Sequence, residues 1–362
     1  MSLSLPIPDW FEGDRVGEVW RVPYAQLATE AQQWAKAHQI TPAQEDSQRI
    51  ALLMIDVQNT FCVPDFELFV GGRSGQGAVE DNIRLCKFVY RNLNLLTELI
   101  PTLDTHGVAQ IFHPIFWVDA EGNHPEPLTN IDWEAVKTGR WRPNPQLQAS
   151  FQLLPNAIGQ SALLDRSPEA AKMHGNLTTY AAHYTKTLED LGKYPLTIWP
   201  YHSMLGGIGH ALVSAVEAAC FTHAIGRQIP TRFELKGSHP LTENYSILSP
   251  EVLSDEHQQP IAQKNQALIQ HLFEFDVVII AGQAKSHCVA WTVADFLREI
   301  QTQKPEFVDR VYLLEDCMSP VVVPGVIDFT ELADRTFQDF ASAGMHLVRS
   351  TDPIAQWPMF NR

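Results

Sequence analysis

At 362 residues the chain is long enough for one large domain or two ordinary ones. It carries 26 Lys and Arg against 42 Asp and Glu, a formal charge of −16, which disfavours nucleic acid or an anionic membrane as a partner. No apolar run is long enough to span a bilayer, the N-terminal stretch MSLSLPIPDWFEGD lacks a basic region followed by an apolar one, and five scattered cysteines make an odd set, so a cytoplasmic chain in a reducing compartment is expected.

Taken in order, residues 24–38 have helical spacing within an N-terminal extension, 1–48, rich in Trp and Pro. The apolar run at 50–56 reads as a buried strand, followed by a loop with Gly71, Gly72, Gly75 and Gly77 and a long amphipathic pattern over 80–100. Those glycines do not form a GxGxxG opening a helix directly after a strand, which excludes a dinucleotide site. Residues 108–113 read as a second strand. A long polar and aromatic stretch follows, with helical spacing around 170–191, in which His124, His174 and His183 read as surface residues. The spacing then predicts helix 209–228, strand 231–235, helix 260–273, strand 275–280, a helix from 287 onward, strand 310–315, helix 328–343 and strand 345–349. Strands alternating with helices imply an α/β fold of three layers, doubly wound around a mostly parallel sheet.

Three of these strands end in chemistry. Asp56 closes the first, Lys236 follows 231–235, and Cys288 stands at a helix start after 275–280, where free backbone N–H groups and the helix dipole favour thiolate. An acid that accepts the thiol proton and a cation that stabilises the resulting anion would make Cys288 a nucleophile. The blander alternatives are a turn-capping Asp56, an exposed Lys236 and a Cys288 that merely packs.

Four segments resemble the isochorismatase-like cysteine hydrolases and, within them, the nicotinamidases. DVQNTFC at 56–62 resembles the segment with the family's catalytic Asp and a pocket aromatic, which fall on Asp56 and Phe61. LKGSHPLTENYS at 235–246 resembles the catalytic Lys-Gly segment, and AGQAKSHCV at 281–289 the nucleophile segment. The last implies a cis peptide at Gln283–Ala284 and an oxyanion site made by the backbone N–H groups of Ala284 and Cys288. LDTHG and IWPYHSMLGG resemble the metal segments, implying Asp104, His106 and His202 as ligands of one divalent ion such as zinc, iron or manganese; His113 is a further candidate ligand ranked below them. In nicotinamidases the pyridine nitrogen of the substrate reaches an open position on that metal, and Trp199, with Phe61, would hold the ring.

The resemblance thus implies an amidohydrolase that cleaves a carboxamide to acid and ammonia through a cysteine thioester, with nicotinamide as the expected substrate and a homo-oligomeric assembly. Ser203 and Gly207 stand where nicotinamidases usually carry Cys and Thr, and Ser286 where an acid is frequent. Residues 1–48 and the insertion at about 114–197 fall outside the resemblance, the rest of 49–362 forming the hydrolase domain. Two other readings are a superfamily amidase acting on a carbamoyl or ureido compound, and a non-catalytic binding module that keeps the fold.

Overall fold

Alternate residues of the first core strand, β1 (Ile50–Ile55), feed two different cores. Ile50, Leu52 and Met54 join one cluster, while Ala51, Leu53 and Ile55 join the other, so every residue of the strand is buried. That is the behaviour of a central parallel strand covered on both faces. The computed structural model describes residues 4–147 and 177–358.

The other core strands are β2 (Glu98–Asp104), β3 (Glu234–Lys236), β4 (Val277–Gly282), β5 (Val311–Leu314) and β6 (His346–Val348). Their order across the sheet is β6-β5-β4-β1-β2-β3, and every pair is parallel. The chain leaves β1 in one direction through β2 and β3, then returns to the other side of β1 with β4. The boundary between β1 and β4 is therefore the switch point outside which open α/β sheets hold their ligands.

Two helical layers cover the sheet. On one face lie α2 (Gly77–Arg91) and α5 (Ser214–Arg227), with Leu85, Phe88, Val216 and Ala219 in the first core. Outside them packs α1 (Tyr24–Ala37) of the N-terminal extension. On the other face lie α6 (Gln266–Leu272), α7 (Ala290–Gln303) and α8 (Thr330–Ser342), which supply Leu268, Phe296 and Phe337 to the second core. The insertion builds a third cluster together with Ile111, Phe112, Leu241, Val252 and Ile261. It holds α3 (Trp133–Lys137) and α4 (Leu177–Asp190), whose Leu177, Tyr180, Ala181, Tyr184 and Leu188 recur at helical spacing on one buried face.

Several elements differ from the sequence expectation. The pattern over 80–100 is two elements: α2 ends at Arg91, and β2 begins at Glu98. Pro101 discourages a strand reading there, yet it sits in register opposite Met54 of β1. Residues 108–113 are not a strand. Their apolar side chains Ile111 and Phe112 pack into the insertion cluster, and Ile111 N–H donates to Pro240 O instead of joining a ladder. Helices 209–228 and 260–273 shorten to α5 and α6. Of the insertion histidines, His124 is exposed and His183 Nε2 donates to Ser254 O (3.0 Å), while His174 lies outside the described residues.

Candidate active site

Four parallel strands deliver one ionisable side chain each to the same carboxyl edge. Asp56 directly follows β1, Asp104 ends β2, Lys236 ends β3, and Cys288 lies in the turn after β4. All four are buried. Lys236 Nζ is their hub, 3.0 Å from Asp56 Oδ2, 2.8 Å from Asp104 Oδ1 and 3.7 Å from Cys288 Sγ, and it donates to Asn244 O at 2.8 Å. One ammonium thus serves two carboxylates and a thiol.

Each group is held from behind. Asp56 adopts a left-handed φ of 47°, and Thr102 on the neighbouring strand braces it, accepting from Asp56 N–H (2.9 Å) and donating to Asp56 Oδ1 (2.6 Å). Gln58, two residues on, grips β2 with its amide: it donates to Asp104 O (2.9 Å) and accepts from Asp104 N–H (2.7 Å). Cys288 lies in a π-helical turn, Lys285–Val289, that runs into α7. The Gln283–Ala284 peptide before it is cis, at the position the family resemblance implies. The Gln283 side chain donates to Asp81 of α2 (2.8 Å) and accepts from Ser319 N–H (3.2 Å), and Ala284 O accepts from His287 and Val289 within the turn.

The expected depression of the thiol pKa by the helix start is not what the surroundings produce. Burial pushes Cys288 well above the ordinary thiol value, and the pull of Lys236 only offsets part of this. Burial likewise raises Asp56, against Lys236 and with the help of Asp104. A carboxylate raised in this way is a stronger base than an ordinary one. Burial also works against the Lys236 ammonium, yet Asp104 and Asp56 outweigh it and hold Lys236 well above its usual range.

Asp104 faces the lysine with one oxygen and two imidazoles with the other. His106 Nε2 lies 2.8 Å and His202 Nε2 3.6 Å from Asp104 Oδ2. Both rings spend their Nδ1 on backbone carbonyls: His106 on Gly237 O at 2.9 Å and His202 on Pro200 O at 2.8 Å. Burial works against a charge on His106, yet Asp104 outweighs it and raises that ring, whereas burial lowers His202; a cation held among the three groups would take the two Nε2 lone pairs of neutral rings. The donor set of one carboxylate and two neutral imidazoles suits a borderline divalent ion, so the residues present fit such an ion. Asp104, His106 and His202 make up this group; His113 lies beside it, its ring 5.8 and 5.9 Å from those of His106 and His202 and its buried Nε2 without a partner. Burial lowers His113 to about 3, so its ring is neutral.

The aromatic residues take two sides. Phe61 stands edge-on to His202 at 5.7 Å, whereas Trp199 lies 6.0 Å from His287, the residue before Cys288, and its indole donates to Tyr245 Oη at 3.2 Å. Tyr194, Tyr245 and Phe329 also pack around His287. Sequence reasoning missed Thr102, Gln58 and Asn244. For Gln58 a signal existed, since a polar amide between an apolar strand and an apolar turn needs a buried partner; for the Asn244 carbonyl there was none.

No family model matches the chain, and no curated protein matches it. Solved structures do. An Acinetobacter baumanii nicotinamidase pyrazinamidase aligns over 85% of this chain and 99% of its own at 17% identity, with a TM-score of 0.47. The yeast nicotinamidase bound to the inhibitor nicotinaldehyde aligns over 83% and 99% at 14% identity, TM-score 0.46, and an N-carbamoylsarcosine amidase from Thermoplasma acidophilum over 85% and 99% at 13%, TM-score 0.38. Two nicotinamidases and an N-carbamoylsarcosine amidase are thus among the solved structures this chain is similar to.

Proposed function

We propose that the protein is a cysteine-dependent amidohydrolase that converts a small aromatic carboxamide, nicotinamide in the first instance, to the acid and ammonia. The observation that carries this reading is the Lys236 ammonium, held at once within 3.0 Å of Asp56 and 3.7 Å of Cys288 in a buried site at the sheet switch point. Asp56 takes the thiol proton as Cys288 Sγ attacks the carboxamide carbon, and Lys236 stabilises the sulfur anion. The backbone N–H groups of Ala284 and Cys288 receive the developing oxyanion. The C–N bond then breaks, Asp56 returns its proton to the departing ammonia, and a thioester remains. Water deprotonated by Asp56 attacks that thioester, releasing the acid and restoring the thiol. Asp104, His106 and His202 would hold a divalent ion, which would supply Lewis acidity toward a ring nitrogen of the substrate. Phe61 and Trp199 orient the ring.

The test is ammonia release from nicotinamide by the purified protein, beside Cys288→Ala, with bound metal quantified in both. Cys288→Ala should lose kcat by a factor on the order of 10⁶ while keeping its metal, as removal of other covalent nucleophiles does. Release of ammonia by the mutant at the parent rate would reject the assignment. An inactive parent that still binds one divalent metal would redirect the substrate to another C–N compound, carbamoyl or ureido, with the same residues.

A further inference from the structure

We propose that Tyr184, on insertion helix α4, is a positioning residue for Lys236, so that the insertion holds the ammonium in place as well as covering the sheet edge; this rests on the reading of Cys288 as the nucleophile. The path is short and made of hydrogen bonds. Tyr184 Oη accepts from Glu243 N–H at 3.1 Å, and the next residue, Asn244, offers the carbonyl that receives Lys236 Nζ at 2.8 Å. Glu243 Oε1 accepts from Asn244 N–H at 2.9 Å, which stiffens the link between them. One turn earlier on the same helix face, Tyr180 Oη donates to Leu241 O at 2.6 Å. Two tyrosines of the insertion therefore pin the segment 241–244, which among the described residues supplies the backbone carbonyl partner of a lysine otherwise surrounded by two carboxylates and a thiol.

The physical case is one of accounting for buried polar groups. Glu243 is buried, so its N–H has no water to turn to if the Tyr184 hydroxyl is removed. A buried donor left without an acceptor drives local rotation of the backbone. Rotation at Glu243 moves the Asn244 carbonyl, and the ammonium then follows its two carboxylates without a third anchor. The distance from Lys236 to the sulfur is what that anchor fixes.

Tyr184→Phe keeps the ring and removes only the hydroxyl. The readout that a purely structural role would not move is the rate at which iodoacetamide alkylates Cys288, followed by mass spectrometry of the peptide carrying it, since the lysine promotes the thiolate. Tyr184→Phe should slow alkylation about tenfold, the effect of one buried hydrogen bond, and should lower kcat on nicotinamide by a similar factor with KM unchanged. In a Lys236→Met background the same substitution should change the alkylation rate by less than about twofold, because residues acting through one another are not additive. Equal slowing in both backgrounds, or a lowered melting temperature with no change in alkylation, overturns the proposal. Should Tyr184→Phe not fold, Tyr180→Phe takes its place in the same cycle with the same two outcomes. Alkylation needs no substrate, so failure of nicotinamide turnover would reject nicotinamide as the substrate while leaving this test standing.

Discussion

Two buried cations in this molecule have opposite surroundings. Arg227, at the end of α5, is fully enclosed, and each nitrogen of its guanidinium has an acceptor: both oxygens of Asp46, the carbonyl of Thr41 at 2.5 Å and that of Leu96 at 3.3 Å. One charge meets one charge, and backbone carbonyls fill the rest. Lys236 meets two carboxylates, a thiol and one carbonyl, and neither Asp56 Oδ2 nor Asp104 Oδ1 makes a well-directed hydrogen bond despite lying at ion-pair distance. The Arg227 cluster has nothing left to bind and ties the N-terminal extension to α5 and the segment before β2. The Lys236 cluster has surplus negative charge, two imidazole lone pairs and a thiol. Completed charge pairing is scaffolding, and under the proposed function incomplete pairing is what a metal and a substrate would complete.

The largest expected effect tests the scaffold half of that contrast. Arg227→Met keeps much of the volume and leaves the half-buried Asp46 with Thr97 but without its charge partner, so it should cost about 3 kcal/mol of unfolding free energy. Urea unfolding measures it, and turnover per folded molecule should be unchanged. A variant that unfolds at the parent midpoint, or that folds but loses turnover, would break the separation between the two clusters.

How much of this was legible in the sequence differs between the same two regions. Asp56 directly closes an apolar run and Cys288 lies in the turn after another, and the parallel sheet brings such ends together by its topology, whereas Lys236 follows the mixed stretch 231–235 and was legible only through the resemblance of its segment. Arg227, Asp46 and Thr41 are spread over distant segments with no periodic signal, and their meeting is a tertiary event. The same limit explains β2. Its apolar residues continue the helical spacing of α2, and the strand exists because β1 and β3 present open ladders on either side. In the insertion, the spacing of α4 was readable but its character was not: Tyr180 and Tyr184 look amphipathic in sequence and are buried against Leu241 and Glu243.

A comparable effect probes the scaffold by pH. His223 lies beside Arg227 and places its Nε2 2.8 Å from Leu96 O, and burial, reinforced by the Arg227 charge and opposed by Asp46 and Glu98, lowers its pKa from 6.5 to about 4. Between those values the unfolded chain binds a proton that the folded chain refuses, so stability falls as pH drops from about 6.5 to 4 and this contribution is level outside that window. The shift corresponds to about 3 kcal/mol. His223→Gln should remove that part of the acid slope in unfolding experiments run from pH 7 to 4, and an unchanged slope would assign the acid sensitivity elsewhere.

The smallest effect bears on the incomplete cluster and isolates the metal. Gly237 has φ of 81°, and a Cβ there would stand 2.5 Å from Asp104 Oδ1 and 2.6 Å from His106 Cε1, so no side chain fits without displacing two of the candidate ligands. Gly237→Ala carries a second cost, the left-handed backbone itself, on the order of 1 kcal/mol for a residue with a Cβ. Gly139 separates the two costs, since it has φ of 77° in the insertion and nothing within 4 Å of its Cβ position. Without metal, Gly139→Ala should lose only the backbone cost, and Gly237→Ala that cost and more. Only Gly237→Ala should weaken zinc binding, by about 10- to 100-fold as disturbed ligand geometry does, measured by competition with a chromophoric chelator. Zinc that protects both variants equally against thermal unfolding would mean that Asp104 and His106 do not hold the ion, and the surplus charge around Lys236 would then need another partner.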